Sequence, residues 1–299
     1  MFSVDKSGSS LRSICEAVEA GRIPPQVAAA QALVAGGSVK DAIDLVATAR
    51  VPDSPAHTAI VSALREHRSR CDVMGAFYRD RGPLPPSGRE EDTVAATARF
   101  FDDALRISPH ASVALYSLGD AALLQRATDE VLQYMQGRRL LGHRRRTLEL
   151  GCGSGRMQLA IGPYVLEAAG ADVSSAMIDA ANKRRKGLST VRFFHAPAHR
   201  LSQVPDGFYD LVFAVDSFPY IVNAGPATLA ATFAEARRVL RPDGDVLIFN
   251  YSCRGDENRD MAEVSELGRA AGLELASFTA HAFHQWDASV FHLRALKLS

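Results

Sequence analysis

The sequence predicts an α/β fold: a doubly wound, mostly parallel sheet preceded by an α-helical N-terminal region. Two observations carry this. From Thr147 onward, short, largely apolar runs alternate with helical patterns. Strands of that kind belong to a parallel sheet with helices on both faces. Ahead of Gly82 the chain is instead alanine-rich, helical in period and broken by pairs of proline and glycine.

Residues 1–10 are polar. From Leu11 to Cys71, Pro24-Pro25 start one helix and Gly36-Gly37 end it, while Pro52 and Pro55 mark another break. Ala28 to Arg50 resembles one tetratricopeptide helix pair, but there is no second copy, so a small helical bundle is expected. Gly82-Pro83-Leu84-Pro85-Pro86-Ser87-Gly88 reads as a connector. The division expected is a helical module over 1–81, a linker over 82–90, and a domain over 91–299 with a helical cap (91–146) and a sheet core (147–299). Within the cap, Glu90 to Ile107 and Asp120 to Gln136 are helical, with Asp120 as an N-cap. Strands are expected at Thr147–Leu150, Tyr164–Ala171, Val191–His195, Leu211–Val215 and Val246–Asn250, then at Leu273–Ala282 and Ser289–Leu298. Helices are expected at Ser175–Arg185 and Thr228–Leu240.

Charge is balanced, with 34 Lys+Arg against 34 Asp+Glu. A general polyanion binder would be basic, so no nucleic acid is expected as a partner. Cys15, Cys71, Cys152 and Cys253 show neither metal nor disulfide spacing, which fits a reduced, cytoplasmic setting. The chain has no run of about 18 apolar residues that would span a membrane, and its start has no signal pattern. His281, His284 and His292 lack the spacing of a ligand set, so no metal is expected. Arg138, Arg139, Arg144, Arg145 and Arg146 read as a solvated loop rather than a phosphate site.

The chemistry concentrates at Leu148-Glu149-Leu150-Gly151-Cys152-Gly153-Ser154-Gly155-Arg156. This is a strand running into a glycine turn that opens a helix. Without Cβ atoms such a turn lets a ligand press on the backbone. Asp172 follows Gly151 by 21 positions, the separation of about 20 at which a carboxylate reaches a ribose diol. A nucleoside-containing cofactor is implied. Arg156 stands where a nicotinamide fingerprint wants glycine or alanine. Glu149, two before the first glycine, suits an ammonium or sulfonium rather than a pyrophosphate.

With Ala169-Gly170-Ala171-Asp172-Val173-Ser174-Ser175-Ala176-Met177, Phe208-Tyr209-Asp210-Leu211-Val212-Phe213-Ala214-Val215-Asp216 and Glu235-Ala236-Arg237-Arg238-Val239-Leu240-Arg241-Pro242-Asp243-Gly244, the segment forms four motifs in order. In these the chain resembles the class I S-adenosylmethionine-dependent methyltransferases, of the small-molecule, ubiquinone/menaquinone-methyltransferase-like kind, over about residues 110 to 299. The resemblance implies a seven-stranded Rossmann-like sheet closed by an antiparallel pair, with S-adenosylmethionine as cofactor. It places Gly151, Cys152, Gly153 and Gly155 in the cofactor turn, Glu149 near the methionine ammonium and Asp172, with Val173 beside it, on the ribose. Met177 or Ile178 would lie against adenine, or both are core. Asp172 could alternatively cap a helix, and Glu149 could be a strand-end surface carboxylate. Where the family often has an acidic residue for the adenine amino group, this chain has Pro197. Adenine is then held by backbone of Ala198 or His199, or by the His199 side chain.

After the fourth strand the chain reads Val215-Asp216-Ser217-Phe218, not the Asn-Pro-Pro-Tyr of enzymes acting on nucleobase or glutamine amines. A small-molecule acceptor is expected, methylated by direct displacement, with alignment and water exclusion as the main contributions. If a base is needed, His110, Tyr116, Asp216, Tyr220 and Tyr251 are placed for it, with Asp216 and Tyr116 first and Asp216 also near the cofactor. Two other readings stand beside this one. One is a non-catalytic protein that binds S-adenosylmethionine or S-adenosylhomocysteine and acts through its helical module. The other is a nicotinamide oxidoreductase, disfavoured by Arg156 and the Pro242-Asp243-Gly244 turn. The helical module is also a candidate homodimer surface.

Overall fold

A computed structural model of the 299-residue chain describes residues 8–48, 54–82 and 89–296. Most of the expected linker, 83–88, lies outside the described residues, as do residues 1–7 and 297–299. The chain divides into two units: Met1–Pro83 with Asp103–Glu130 and His281–Asp287, and Leu84–Asp102 with Val131–Ala280 and Ala288–Ser299.

The first unit is helical. It holds α1 (Gly8–Glu19), α2 (Pro25–Gly36), α3 (Val39–Thr48), α4 (Pro55–Glu66) and α5 (Arg68–Arg81). Pro25 starts α2 at its first position, and Gly37 ends it in the left-handed region at φ 77°. Ala28, Ala29, Ala30, Ala32 and Leu33 are all buried, so α2 is covered on every side. The glycines permit this closeness: a Cβ on Gly75 of α5 would lie 2.8 Å from the Gly37 carbonyl carbon. Leu11, Cys15, Ile60, Leu64, Cys71 and Met74 complete the core.

The second unit carries a seven-stranded sheet. Its strands are β1 (Arg146–Leu150), β2 (Glu167–Asp172), β3 (Val191–His195), β4 (Tyr209–Val215), β5 (Leu240–Phe249), β6 (Leu273–Thr279) and β7 (Val290–Ala295). Their spatial order is β3-β2-β1-β4-β5-β7-β6. β1 to β5 are parallel, and β7 runs antiparallel to both β5 and β6. Leu148 pairs with Ala169 on one side and Val212 on the other. The order therefore reverses at β1, and the carboxyl ends of β1 and β4 are where open sheets of this order take ligands. The fold is the Rossmann-like α/β architecture expected.

Two helices fall within both units' residues: α6 (Glu90–Ile107) and α7 (Ala121–Gly137). Asp120 caps α7 through the N–H groups of Ala122 and Leu123. The others flank the strands: α8 (Arg156–Ile161), α9 (Ser175–Arg184), α10 (Phe218–Ala224), α11 (Pro226–Val239) and α12 (Glu257–Ala270). α8 is the helix that the glycine turn was expected to open; α10 and α12 have no counterpart in the sequence reading. β2 begins at Glu167 rather than Tyr164, because Pro163 holds Gly162–Tyr164 in a 3-10 turn. β5 begins early, at Leu240. Tyr209 pairs with Leu240 and Leu211 with Asp245, so Pro242-Asp243-Gly244 form an irregular excursion within the strand. Among the described residues no helix is long and apolar enough to cross a membrane.

Candidate active site

β1 delivers the chain to this end of the sheet with Leu148, Glu149 and Leu150 all buried. The turn beyond it is tied to β2: the N–H groups of Gly151 and Cys152 donate to the Ala171 carbonyl at 2.8 and 3.0 Å. Gly151, Gly153 and Gly155 stand at φ 75°, 52° and 78°, a conformation open to glycine and costly for other residues. Gly151 is also crowded, since a Cβ there would lie 2.4 Å from the Ser217 Cβ. Cys152 fills the space beneath the turn, where a Cβ on Gly170 would lie 2.6 Å from its own. Burial pushes its thiol well above the ordinary range, so it is no nucleophile.

Asp172 ends β2 and is buried. Its Oδ2 accepts from the Gly153 N–H and its Oδ1 from the Ser174 N–H, both at 2.8 Å. The carboxylate thus binds the two halves of the cradle together. Each oxygen has a second acceptor site remaining. Burial raises its pKa, opposed by these two N–H groups. The cap of α9 is not Asp172 but Ser174, whose Oγ accepts from the Met177 N–H at 3.0 Å and donates to Asp102 of α6 at 2.5 Å.

Glu149 is buried within the strand, not on its surface. Its Oε2 accepts from Gln158 Nε2 at 2.7 Å. Burial pushes the carboxyl up to about 8, against the Gln158 hydrogen bond and the Arg156 charge, with Asp172 adding to the rise. Glu149 is therefore largely protonated at neutral pH.

Val173 is half-buried and its carbonyl accepts from His195 Nε2 at 2.9 Å. Met177 and Ile178 are buried on α9. Pro197, Ala198 and His199 follow β3 and are all half-buried. Burial and the neighbouring Arg200 lower the His199 pKa, so its ring is neutral near pH 7, against the pull of Glu90, Glu91 and Glu235.

Asp216 directly follows β4 at φ 59°, and Asn250 directly follows β5 at φ 66°. Asn250 Nδ2 donates to Asp216 Oδ1 at 2.8 Å, and the Asp216 N–H donates to the Phe249 carbonyl at 3.1 Å. Next to it, Ser217 Oγ donates to the Leu150 carbonyl at 2.6 Å, coupling the β4 loop to the glycine turn. Tyr220 packs edge-on against Phe101, with ring centroids 4.9 Å apart. Tyr251 is buried and burial raises its phenol pKa, which disfavours it as a base. Tyr116 and His110 belong to the helical unit. There Tyr116 is buried and stacks on Trp286 at 5.4 Å, while His110 is exposed.

The structure thus brings Glu149, the three glycines, Cys152, Asp172 and Met177 to one end of the sheet. Sequence reasoning missed Gln158, Ser174, Ser217 and Asn250. Gln158 left a signal, as a single polar residue in the run Met157 to Ile161. Of the arginine cluster, Arg138 lies over the Tyr134 ring at 3.7 Å and Arg145 reaches Asp245 at 3.5 Å. His292 bonds Asp245 at 2.8 Å. Among the described residues no three His, Cys, Asp or Glu side chains form a metal-binding group.

Residues 148–248, from β1 through β5, match the family described as methyltransferase domain. Over this segment the chain is similar to S-adenosylmethionine-dependent methyltransferases. Two curated relatives are named as methyltransferases. A probable S-adenosylmethionine-dependent methyltransferase of Saccharomyces cerevisiae, CRG1, is 29% identical over 113 residues, 37% of each chain. An uncharacterised methyltransferase of Bacillus subtilis, YcgJ, is 32% identical over 111 residues, 36% of this chain and 40% of that one. The chain thus spans about two fifths or less of each of these relatives. The crystal structure of YcgJ overlays with a TM-score of 0.46 at 16% identity, covering 57% of this chain and 99% of that one. Magnesium protoporphyrin IX methyltransferase from Synechocystis, solved with bound S-adenosylmethionine, overlays with a TM-score of 0.45 at 16% identity, covering 58% and 80%.

Proposed function

We propose that this protein transfers the methyl group of S-adenosylmethionine to a small-molecule acceptor by direct displacement. One observation carries the reading: a turn of three left-handed glycines lies at the strand-order reversal, between two buried carboxylates, Glu149 and Asp172. This donor set fits a ligand with a ribose and an ammonium. When bound, the cofactor supplies an electrophilic methyl group on a sulfonium.

The protein's own residues do the rest. Asp172 accepts from the ribose hydroxyls through the acceptor sites that its two N–H bonds leave free. Glu149 takes the ammonium. Met177 offers a thioether to the adenine, whose edge is held by Ala198 or His199. The glycine turn brings backbone N–H groups against the ligand. Asp216, held by Asn250, is the first choice as a base. Aligning the acceptor and excluding water contribute about 7–11 kcal/mol to such a reaction.

Calorimetric titration with S-adenosylmethionine and S-adenosylhomocysteine tests this, beside Asp172→Ala. One site per chain is expected, weakened by about 1.5–3 kcal/mol in the variant through loss of a charged acceptor. A wild-type protein that binds neither compound would overturn the reading.

A further inference from the structure

Gln158 is wholly buried on α8. Its Nε2 donates to Glu149 Oε2 at 2.7 Å and to the Ala169 carbonyl at 3.3 Å. A carbonyl only accepts, so the amide orientation is fixed with its nitrogen toward both groups. Its Oε1 is buried with no hydrogen-bond partner among the described residues. A methionine or leucine would fill this space without burying the unpaired Oε1. The cost of burying a carboxamide here points to a use for its N–H.

That use is the state of Glu149. The hydrogen bond commits Oε2 as an acceptor. The proton that a buried carboxyl carries at neutral pH then sits on the other oxygen, Oε1. The charged groups facing Glu149 are Arg156 at the start of α8 and Asp172 at the end of β2. Arg184 of α9 acts on Arg156 in turn. The β4 residue paired with Glu149 is the apolar Phe213. Among the described residues Arg156 is the cation that acts on Glu149.

We propose that Gln158 is a positioning residue: it holds one oxygen of Glu149 so that the other takes the α-ammonium of the cofactor, and the Glu149 proton leaves to solvent as the ligand enters. The inference rests on the S-adenosylmethionine reading above. A ligand with an ammonium is then recognised separately from its nucleoside, and its uptake is proton-linked. Without the Gln158 N–H the carboxylate loses its one committed donor, and the ammonium must drive off a more tightly held proton.

Calorimetry on the full chain tests this with two ligands. S-adenosylhomocysteine carries the ammonium; 5′-methylthioadenosine shares the nucleoside and lacks it. For the wild type, S-adenosylhomocysteine affinity should rise with pH from about 6, approaching tenfold per unit, and level off above the Glu149 titration. Its heat should depend on the buffer's ionisation enthalpy, reporting the released proton. The 5′-methylthioadenosine affinity should stay flat. Gln158→Met should weaken S-adenosylhomocysteine about tenfold near neutral pH, shrink that deficit toward about pH 9, and leave 5′-methylthioadenosine unchanged. Glu149→Gln should abolish the wild-type slope. A flat wild-type profile for S-adenosylhomocysteine overturns the proposal whatever the variants do. Equal weakening of both ligands at every pH in Gln158→Met reduces Gln158 to a packing role and overturns it too. Absence of binding by the wild type overturns the cofactor reading itself.

Discussion

Gly151→Ala puts the tightness of the cradle to a quantitative test. The residue stands at φ +75°, and an added Cβ would lie 2.4 Å from the Ser217 Cβ and 2.9 Å from its Oγ. The left-handed conformation costs about 1–2 kcal/mol for alanine. Forcing Ser217 aside is an overpacking of about 1–3 kcal/mol. The Ser217 bond to the Leu150 carbonyl, 2.6 Å long, adds about 0.5–1.5 kcal/mol when broken. Together the loss is roughly 3–6 kcal/mol. Urea unfolding followed by circular dichroism reads it as a lower midpoint. Ser217→Gly in the Gly151→Ala background removes the clash and leaves the backbone strain, so the double-mutant cycle should show a coupling of about 1–3 kcal/mol. Gly151→Ala that loses less than about 1 kcal/mol and binds S-adenosylhomocysteine as the wild type does would refute the steric argument.

Three further outcomes are expected. Glu149 is raised from its ordinary value to about 8. Folded protein therefore holds a proton that unfolded chain has lost between about pH 4.5 and 8, and ligand-free stability falls across that window. Glu149→Gln should be more stable than wild type at pH 8, by on the order of 1–4 kcal/mol, while losing affinity for S-adenosylhomocysteine; thermal unfolding and titration of one sample show both. For Asp245, burial raises the carboxyl pKa, but the His292 hydrogen bond and charge, with Arg145 and Arg294, hold it below the ordinary value. Its stabilisation is present above the ordinary carboxylate range and lost as pH falls through the folded value, so Asp245→Asn should flatten the loss of stability below about pH 4. Iodoacetamide should label exposed Cys253 in folded protein, and buried Cys15, Cys71 and Cys152 only after unfolding, as mass mapping of the peptides would show. Labelling of Cys152 at the Cys253 rate would contradict its place beneath the turn.

The parallel sheet was legible because its strands are buried on both faces. Leu211 to Val215 is apolar throughout and Leu148 to Leu150 is broken only by Glu149, and both became central strands. Gly36-Gly37 and Asp120 were legible for a local reason: each solves a helix end within its own segment. α10 was not, because its seven residues are too short for a periodic pattern and Ser217 before it makes no side-chain cap. β5 was misjudged at its start because Pro242 and Gly244 read as a turn, whereas pairing to β4 resumes beyond them. Partners such as Ser217 with Leu150, or Asn250 with Asp216, join strands far apart in the chain, and no local pattern encodes them.

Departures from local preference gather at the carboxyl ends of the central strands. Past β1 are three left-handed glycines. Within β1 is a carboxyl group whose burial favours its neutral form, and at the end of β2 another whose oxygens serve as cross-links. At the ends of β4 and β5 two non-glycine residues, Asp216 and Asn250, stand in the left-handed region and bond each other. The buried Glu149 carboxyl and the two strained non-glycine residues each cost stability. The opposite ends of β5 and β7 instead place Asp245 among His292, Arg145 and Arg294, where every charge is answered. A fold needing only to be stable would resolve both ends alike. The difference between them fits the proposed role of the glycine-turn end as a ligand site, with Glu149 as the group that an incoming ammonium would meet.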